Sequence, residues 1–222
     1  MKKVVILMAL IAGLVFTSNV VAAVGIVDDI CDTNGTFNDS GRRSADYYFN
    51  VEDPSNGTYE CWSAAKWTGL NVGTIGAGEY IQLDSATVTL YQANSGFTGS
   101  GAFSIYVMPD SFNPGANAYY SDWAGTYASQ STLIGTYNFT EVSSGHEDEF
   151  NISDAALASS IADGTLVLAF VDNGSAVAAT WAGNTSYNYD GPTLNIEGEV
   201  VPEPATMALL GLGGLVLARR KK

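Results

Sequence analysis

The chain has 222 residues, 23 acidic side chains against nine lysines and arginines, and a formal net charge of −14. Only Arg42, Arg43 and Lys66 are basic between residues 24 and 201, where 22 acids lie, so that stretch carries a net −19. Nucleic-acid binding is excluded, because neutralising phosphates needs clustered cations. So is wholesale disorder, because 46% hydrophobic and 11% aromatic residues are too many for a chain unable to build a core.

Lys2 and Lys3 supply a positive start, Val4 to Phe16 an unbroken apolar run, and Val21-Ala22-Ala23 a small-residue cleavage site. This is the pattern of a secretory signal peptide over residues 1–23, with cleavage expected after Ala23. As a helix the apolar run would rise only about 20 Å, short of a hydrocarbon core of roughly 30 Å.

The next segment is acidic. Asp32-x-Asn34-Gly35 resembles the middle of an EF-hand loop, but the first and twelfth positions would be Ile30 and Gly41, neither of which can offer a carboxylate. An irregular calcium site built from Asp28, Asp29, Asp32 and Asp39 is a candidate, against the alternative of a solvated turn. Cys31 and Cys61 are the only cysteines, and export would carry both into an oxidising compartment. A bridge between them is therefore expected; it would close a loop of about thirty residues and contribute roughly 3 to 4 kcal/mol.

From Asp46 onward the hydrophobic pattern has period two. Strands are predicted at 46–52, 59–67, around Ala86, Val88 and Leu90, around Phe103, Ile105 and Val107, and at 133–139, 177–181 and 193–197. The run 166–171 is apolar at every position, as a central strand covered on both sides would be. Turn residues separate these runs, among them Asn113-Pro114-Gly115, Asp163-Gly164, Asn173-Gly174 and Asp190-Gly191-Pro192. A single short helix is predicted at 153–162, capped by Ser153 or Asp154. About nine short strands and one helix imply an all-β, antiparallel sandwich, with the jelly roll preferred because stacked sheets protect more edges than an open one.

Between Met108 and Leu133 the Gly/Asn/Ser-rich connection carries Tyr119, Tyr120, Trp123 and Tyr127. Flat aromatics beside acceptors such as Asn117 and Asp122 are what a sugar surface needs. The four rings are thus a candidate glycan site, and the competing reading is that they cover an open end of the core. Catalytic patterns are poor. His146, the only histidine, sits in the polar stretch 143–149; no nucleophile elbow and no His-Glu-x-x-His occur. With 22 acids present, a carboxylate pair suited to glycoside hydrolysis is expected by chance and says little unless a raised pKa or a deep cleft accompanies it.

The C-terminus has three parts in order: Pro202-Glu203-Pro204, an uncharged Leu/Gly-rich run from Ala205 to Ala218, and the basic tail Arg219, Arg220, Lys221 and Lys222. The tail would stop transfer and stay cytoplasmic. Fourteen apolar residues make a short transmembrane helix, suited to a transient anchor. This arrangement resembles the PEP-CTERM sorting signal. The resemblance implies processing by an exosortase, a membrane-embedded cysteine-dependent enzyme, and delivery to the cell surface or exopolysaccharide matrix. The domains are then signal peptide 1–23, passenger 24–200 and sorting signal 201–222. A second resemblance, in residues 85–91, 151–153, 164–168 and 191–196, is to exported DNRLRE-type carbohydrate-binding-like jelly rolls, although the Asp-Asn-Arg-Leu-Arg-Glu segment is absent.

These readings converge on a non-enzymatic surface or matrix protein that contacts exopolysaccharide and needs no cofactor apart from the candidate calcium. A glycan-active enzyme on the same scaffold and a purely structural acidic coat protein are the alternatives.

Overall fold

The computed structural model describes residues 22–43, 46–56, 59–70, 79–93, 98–152, 155–186 and 188–202. The signal peptide up to Val21, the Ser153 and Asp154 caps, and everything beyond Pro202, including the expected transmembrane helix and basic tail, lie outside them. No described helix is long and apolar enough to cross a membrane.

Among the described residues there are twelve strands: β1 Ala22–Ile30, β2 Thr33–Asn38, β3 Gly41–Arg42, β4 Tyr48–Glu52, β5 Trp62–Thr68, β6 Glu79–Tyr91, β7 Gly101–Val107, β8 Thr132–Phe139, β9 Glu147–Asn151, β10 Thr165–Asp172, β11 Ala178–Ala182 and β12 Thr193–Pro202. They form an antiparallel β-sandwich. The front sheet has the order β1-β12-β6-β9, the back sheet β3-β2-β5-β10-β7-β8, and β4 pairs with β11. The chain passes from one sheet to the other at β1/β2, β5/β6, β6/β7, β8/β9 and β9/β10, the winding expected of a jelly roll.

Alternation explains the front sheet. Ala86, Val88 and Leu90 of β6 point inward and are fully buried, while Thr87, Thr89 and Tyr91 between them are only partly so. The core between the sheets centres on aromatics. Phe103 meets Phe150 at 5.2 Å and Trp181 at 5.4 Å between ring centroids, and Phe49 meets Phe170 at 5.0 Å. β10 is buried on both faces, as its uniform apolar run implies. Leu166, Leu168 and Phe170 belong to the inter-sheet core, whereas Val167, Ala169 and Val171 belong to a second core on the outer side of the back sheet. The helix, α2 (Ala155–Ala162), follows a shorter helical turn, α1 (Tyr120–Asp122). It buries Leu157 and Ile161 and lies against β6 and β10, one strand from each sheet.

On the side facing the back sheet β4 meets backbone, among the described residues, only at its last residue, where Glu52 bridges to Cys61. At Asn50 side chains take that place: the Asn50 N–H donates to Thr36 Oγ1 (3.2 Å) and Ser63 Oγ (3.1 Å), and Ser63 Oγ donates to the Asn50 carbonyl (2.6 Å). On the front sheet, the edge strand β9 is blunted by Glu147, Asp148 and Glu149, a charged rim that discourages pairing with another chain.

Several elements differ from expectation. Residues 22–42, where no strand is predicted, contain three strands, and the polar stretch 143–149 runs into β9. An edge strand needs only alternate positions buried, here Phe150 with Asp148 partly so, and such a segment looks like loop in sequence. β12 is longer than predicted and reaches Pro202.

The expected disulfide is absent. Cys31 and Cys61 are both free and buried. The Asp32 N–H, next to Cys31, donates to the Lys66 carbonyl near the end of β5, whereas Cys61 immediately precedes β5 and pairs with Glu52. Five residues of extended chain from 61 to 66 span about 16 Å, and a bridge requires Cα atoms within about 7 Å. Burial pushes both thiols well above the usual cysteine range.

Candidate functional site

The aromatic residues singled out between β7 and β8 are mainly core. The segment from Pro109 to Ser131 folds over the outer face of the back sheet, with Trp62 as its hub. That ring lies 5.5 Å from Trp123, 5.7 Å from Tyr127, 5.7 Å from Phe112 and 4.4 Å from Phe37. Trp62 Nε1 also donates to the Tyr119 carbonyl at 3.1 Å. Trp123 is 9% exposed and packs edge-on to Tyr106 at 4.8 Å. Tyr120 is half-buried and its hydroxyl donates to Asp172 Oδ2 at 2.9 Å. Only the Tyr119 side chain is broadly exposed. The acceptors expected beside these rings are engaged. Asp122 accepts the Tyr119 N–H (2.8 Å), and Asn117 Oδ1 accepts the Arg42 N–H (2.7 Å). The close seating depends on Gly35 of β2, where a Cβ would meet the Phe37 ring at 2.9 Å and the Pro114 carbonyl oxygen closer still.

Of the four acids proposed for calcium, Asp32 and Asp39 do not converge. Asp32 precedes β2 and Asp39 follows it, so extended chain of about 20 Å separates them. The Asp32 carboxylate already accepts the Thr68 N–H (2.6 Å) and hydroxyl (2.8 Å). Asp29 lies in β1, and the side chain of Asp28 is outside those described.

His146 is exposed in the turn before β9, its Nε2 3.7 Å from Asp148 Oδ1. Asp148 is occupied structurally, accepting from Trp181 Nε1 (2.7 Å) and Gln92 Nε2 (3.0 Å). One carboxyl pair does stand out. Asp53 and Asp172 hydrogen-bond each other; Ser55 donors hold Asp53 below the usual carboxylate range, and burial pushes Asp172 above it. Two carboxyls in direct contact are closer than the roughly 5 Å or more that glycoside hydrolysis requires. Their remaining partners, Tyr120, the Ser55 and Gly174 N–H groups and the Ala176 backbone, tie loops together.

A different aromatic group forms a concave site. Tyr47 and Tyr48 enter β4, Tyr91 ends β6, and Ser186, Asn188, Tyr189 and Asp190 belong to the connection from β11 to β12. Two adjoining cavities of about 320 and 270 Å³ share Ser186, Asn188 and Tyr189; Tyr91 and Asp190 complete the first, and Tyr47, Tyr48 and Ala93 the second. Tyr189 stacks on Tyr91 at 6.2 Å with 13° between the planes. Its other neighbour is Gly145, whose φ of +87° and contact with the ring, 3.0 Å from where a Cβ would sit, exclude a larger residue. Ser144 Oγ donates to Tyr189 Oη at 3.4 Å. The connection is anchored by the Gly183 N–H to the Tyr47 carbonyl (2.8 Å) and the Asn184 N–H to Asn34 Oδ1 (2.9 Å). Tyr47 and Tyr48 are 37% and 44% exposed, so their ring surfaces meet solvent. The sequence signal was present in Asp46-Tyr47-Tyr48 and Asn188-Tyr189-Asp190, but the two lie about 140 residues apart and read as strand start and turn punctuation.

β12 runs between β1 and β6, and Ala22 of β1 faces Val200. The segment entering the sandwich and the segment leaving it therefore lie side by side. The family described as PEP-CTERM protein-sorting motif matches residues 200–222. This chain carries a PEP-CTERM sorting motif. The PEP-CTERM match marks an exported, surface-directed protein processed by an exosortase, and it begins inside the sheet: Val200, Val201 and Pro202 pair with Ile81, Tyr80 and Glu79 of β6. No curated protein matches the chain. Among solved structures, the Clostridium thermocellum N-terminal endo-1,4-β-D-xylanase 10B CBM22-1–GH10 modules complexed with xylohexaose are similar at 8% identity and a TM-score of 0.23. That match covers 82% of this chain and 29% of the other, and a likeness of this degree assigns neither fold nor ligand. The DNRLRE-type resemblance gains no support from these matches.

Proposed function

We propose that the PEP-CTERM protein is a non-enzymatic surface or matrix module whose sandwich holds exopolysaccharide in the cleft formed by Tyr47, Tyr48, Tyr91 and Tyr189. The observation that carries this reading is the pair of adjoining cavities walled by partly exposed tyrosines with Ser186, Asn188 and Asp190 between them. Tyrosine faces pack against the C–H faces of sugars, and the amide, hydroxyl and carboxylate exchange hydrogen bonds with sugar hydroxyls. The non-enzymatic part of the reading is supported by the commitment of the contacting Asp53–Asp172 pair to loop structure. The test is a glycan array probed with the passenger, residues 24–200, and with Tyr189→Ala. Retention of a polysaccharide class that falls at least about tenfold in the variant supports the proposal. Retention unchanged by Tyr189→Ala and Tyr48→Ala, or turnover of the bound glycan, overturns it.

A further inference from the structure

We infer that the tyrosine cleft takes an uncharged glycan and rejects polymers bearing carboxylate, sulfate or phosphate groups; this rests on the cleft being the glycan site.

The first ground is that no lysine or arginine is available to pair with an anionic sugar. The passenger has only three basic side chains, and each is committed elsewhere. Arg42 is ion-paired with Asp46, and its guanidinium donates to the carbonyls of Pro114 (2.7 Å) and Asn34 (3.0 Å). Lys66 Nζ donates to the carbonyls of Asp110 (2.6 Å) and Phe112 (3.2 Å) under the covering segment. Arg43 sits 5.5 Å from the ring centroid of Tyr59. None of the three lines either cavity. Recognition of a uronate or sulfate needs such a partner, because burying an anion without a countercharge or a set of donors is costly.

The second ground is the surface onto which the cleft opens. Asp190 lines the first cavity. Tyr91, in the same wall, points outward from β6 with Thr87 and Thr89, and the residues facing these three across the ladder are Glu147, Glu149 and Asn151 of β9. On the other side β12 sets Thr193 and Asn195 opposite Thr89 and Thr87. Beside the tyrosines the outer face of the front sheet is therefore threonine, asparagine and glutamate. Short polar side chains can serve the hydroxyls of a neutral strand laid along the sheet, while the two glutamates repel a polyanion along the same path. Hydrogen bonding and stacking on tyrosine change little with salt, whereas repulsion between exposed charges weakens as salt screens it.

The test is calorimetric titration of the passenger with hexasaccharides of matched length: neutral β-linked glucose and N-acetylglucosamine hexamers, a galacturonate hexamer and a glucosamine hexamer, at about 20 and 300 mM NaCl, where the Debye length falls from roughly 20 Å to about 6 Å. A neutral hexamer should bind with a Kd that changes less than about twofold with salt and weakens at least tenfold in Tyr189→Ala. Galacturonate should bind at least tenfold more weakly at low salt and recover part of that deficit at high salt. The double variant Glu147→Lys/Glu149→Lys, both exposed, should narrow the gap. Galacturonate or glucosamine binding more tightly than every neutral hexamer, with loss in Tyr189→Ala, overturns the charge selectivity and leaves the cleft assignment standing. Failure of all four hexamers to bind, or binding indifferent to Tyr189→Ala, overturns the cleft assignment and this inference with it.

Discussion

Replacing Trp123 and Tyr189 by alanine, one at a time, separates a ring that builds the fold from a ring that serves the cleft. Trp123 is almost wholly buried, between Trp62 and Tyr106. Truncating a buried tryptophan typically costs about 3 to 5 kcal/mol; the covering segment can settle partly into the gap, so about 3 kcal/mol is expected. For a domain of this size each kcal/mol lowers Tm by about 2 to 4 °C, which places Trp123→Ala about 6 to 12 °C below the parent. Tyr189 is half-buried and loses chiefly its stack on Tyr91, about 0.5 to 1.5 kcal/mol, a shift of a few degrees at most. Calorimetric melting gives the stabilities, and titration with the best glycan from the array, below the lower Tm, gives the affinities. Trp123→Ala should melt early yet bind as the parent does, and Tyr189→Ala should melt close to the parent yet bind at least tenfold more weakly. The reverse pattern, with Trp123→Ala stable and unable to bind, would return the glycan site to the segment between β7 and β8 and refute the reasoning.

Four further outcomes follow from particular contacts. Because the two thiols sit at opposite ends of β5, native passenger should show two free cysteines by mass under non-reducing conditions, inert to a maleimide until denatured, and reductant should leave Tm unchanged; a mass lower by two protons would contradict this. Asp172 has a raised carboxyl pKa, so the folded chain binds its proton more tightly than the unfolded chain does, and that contribution to stability is complete below the unfolded carboxylate range and lost as pH rises through the folded value. Asp172→Asn, which keeps an acceptor for Tyr120, should therefore melt above the parent at pH 7 and level with it near pH 3; an equal difference at both values would disprove the sign. Ala176 holds φ at +58° in the turn before β11, and Ala176→Gly should raise stability by up to about 1 kcal/mol in a denaturant titration, since a left-handed backbone is strained for any residue with a Cβ. Finally, the sorting motif starts within β12, so a flexible glycine-serine insert between Val201 and Pro202 should speed exosortase processing in a pulse-chase in the native host, by freeing the motif from the sheet; an unchanged rate would show that the strand end is not limiting.

Much of the scaffold was legible because it is written locally. Alternation at Ala86, Val88 and Leu90, the two-faced apolar run of β10 and the alanine-rich helix before Gly164 each follow from backbone period and burial within a few residues. β9 was not legible. An edge strand exposed on one side needs little apolar patterning, and Glu147 and Glu149 look like loop until Tyr91 and Thr89 are seen opposite them. β2 was hidden for a related reason, since Asn34 and Gly35 are poor strand formers that become strand by pairing with Ala65 and Ala64 of β5, about thirty residues away.

The sequence by itself determined the sorting motif, the all-β sandwich class and the acidic balance, because each depends on composition or on order along the chain. Tertiary structure alone decided which aromatics are walls of a cleft and which are core. Trp123 and Tyr189 are both aromatic residues in polar connections, and nothing local distinguishes them. What separates them is the surface each connection lies on: the first covers an apolar sheet face with Trp62 at its centre, the second borders a polar one. The same holds for the cysteines, whose spacing permits a bridge that the length of β5 forbids.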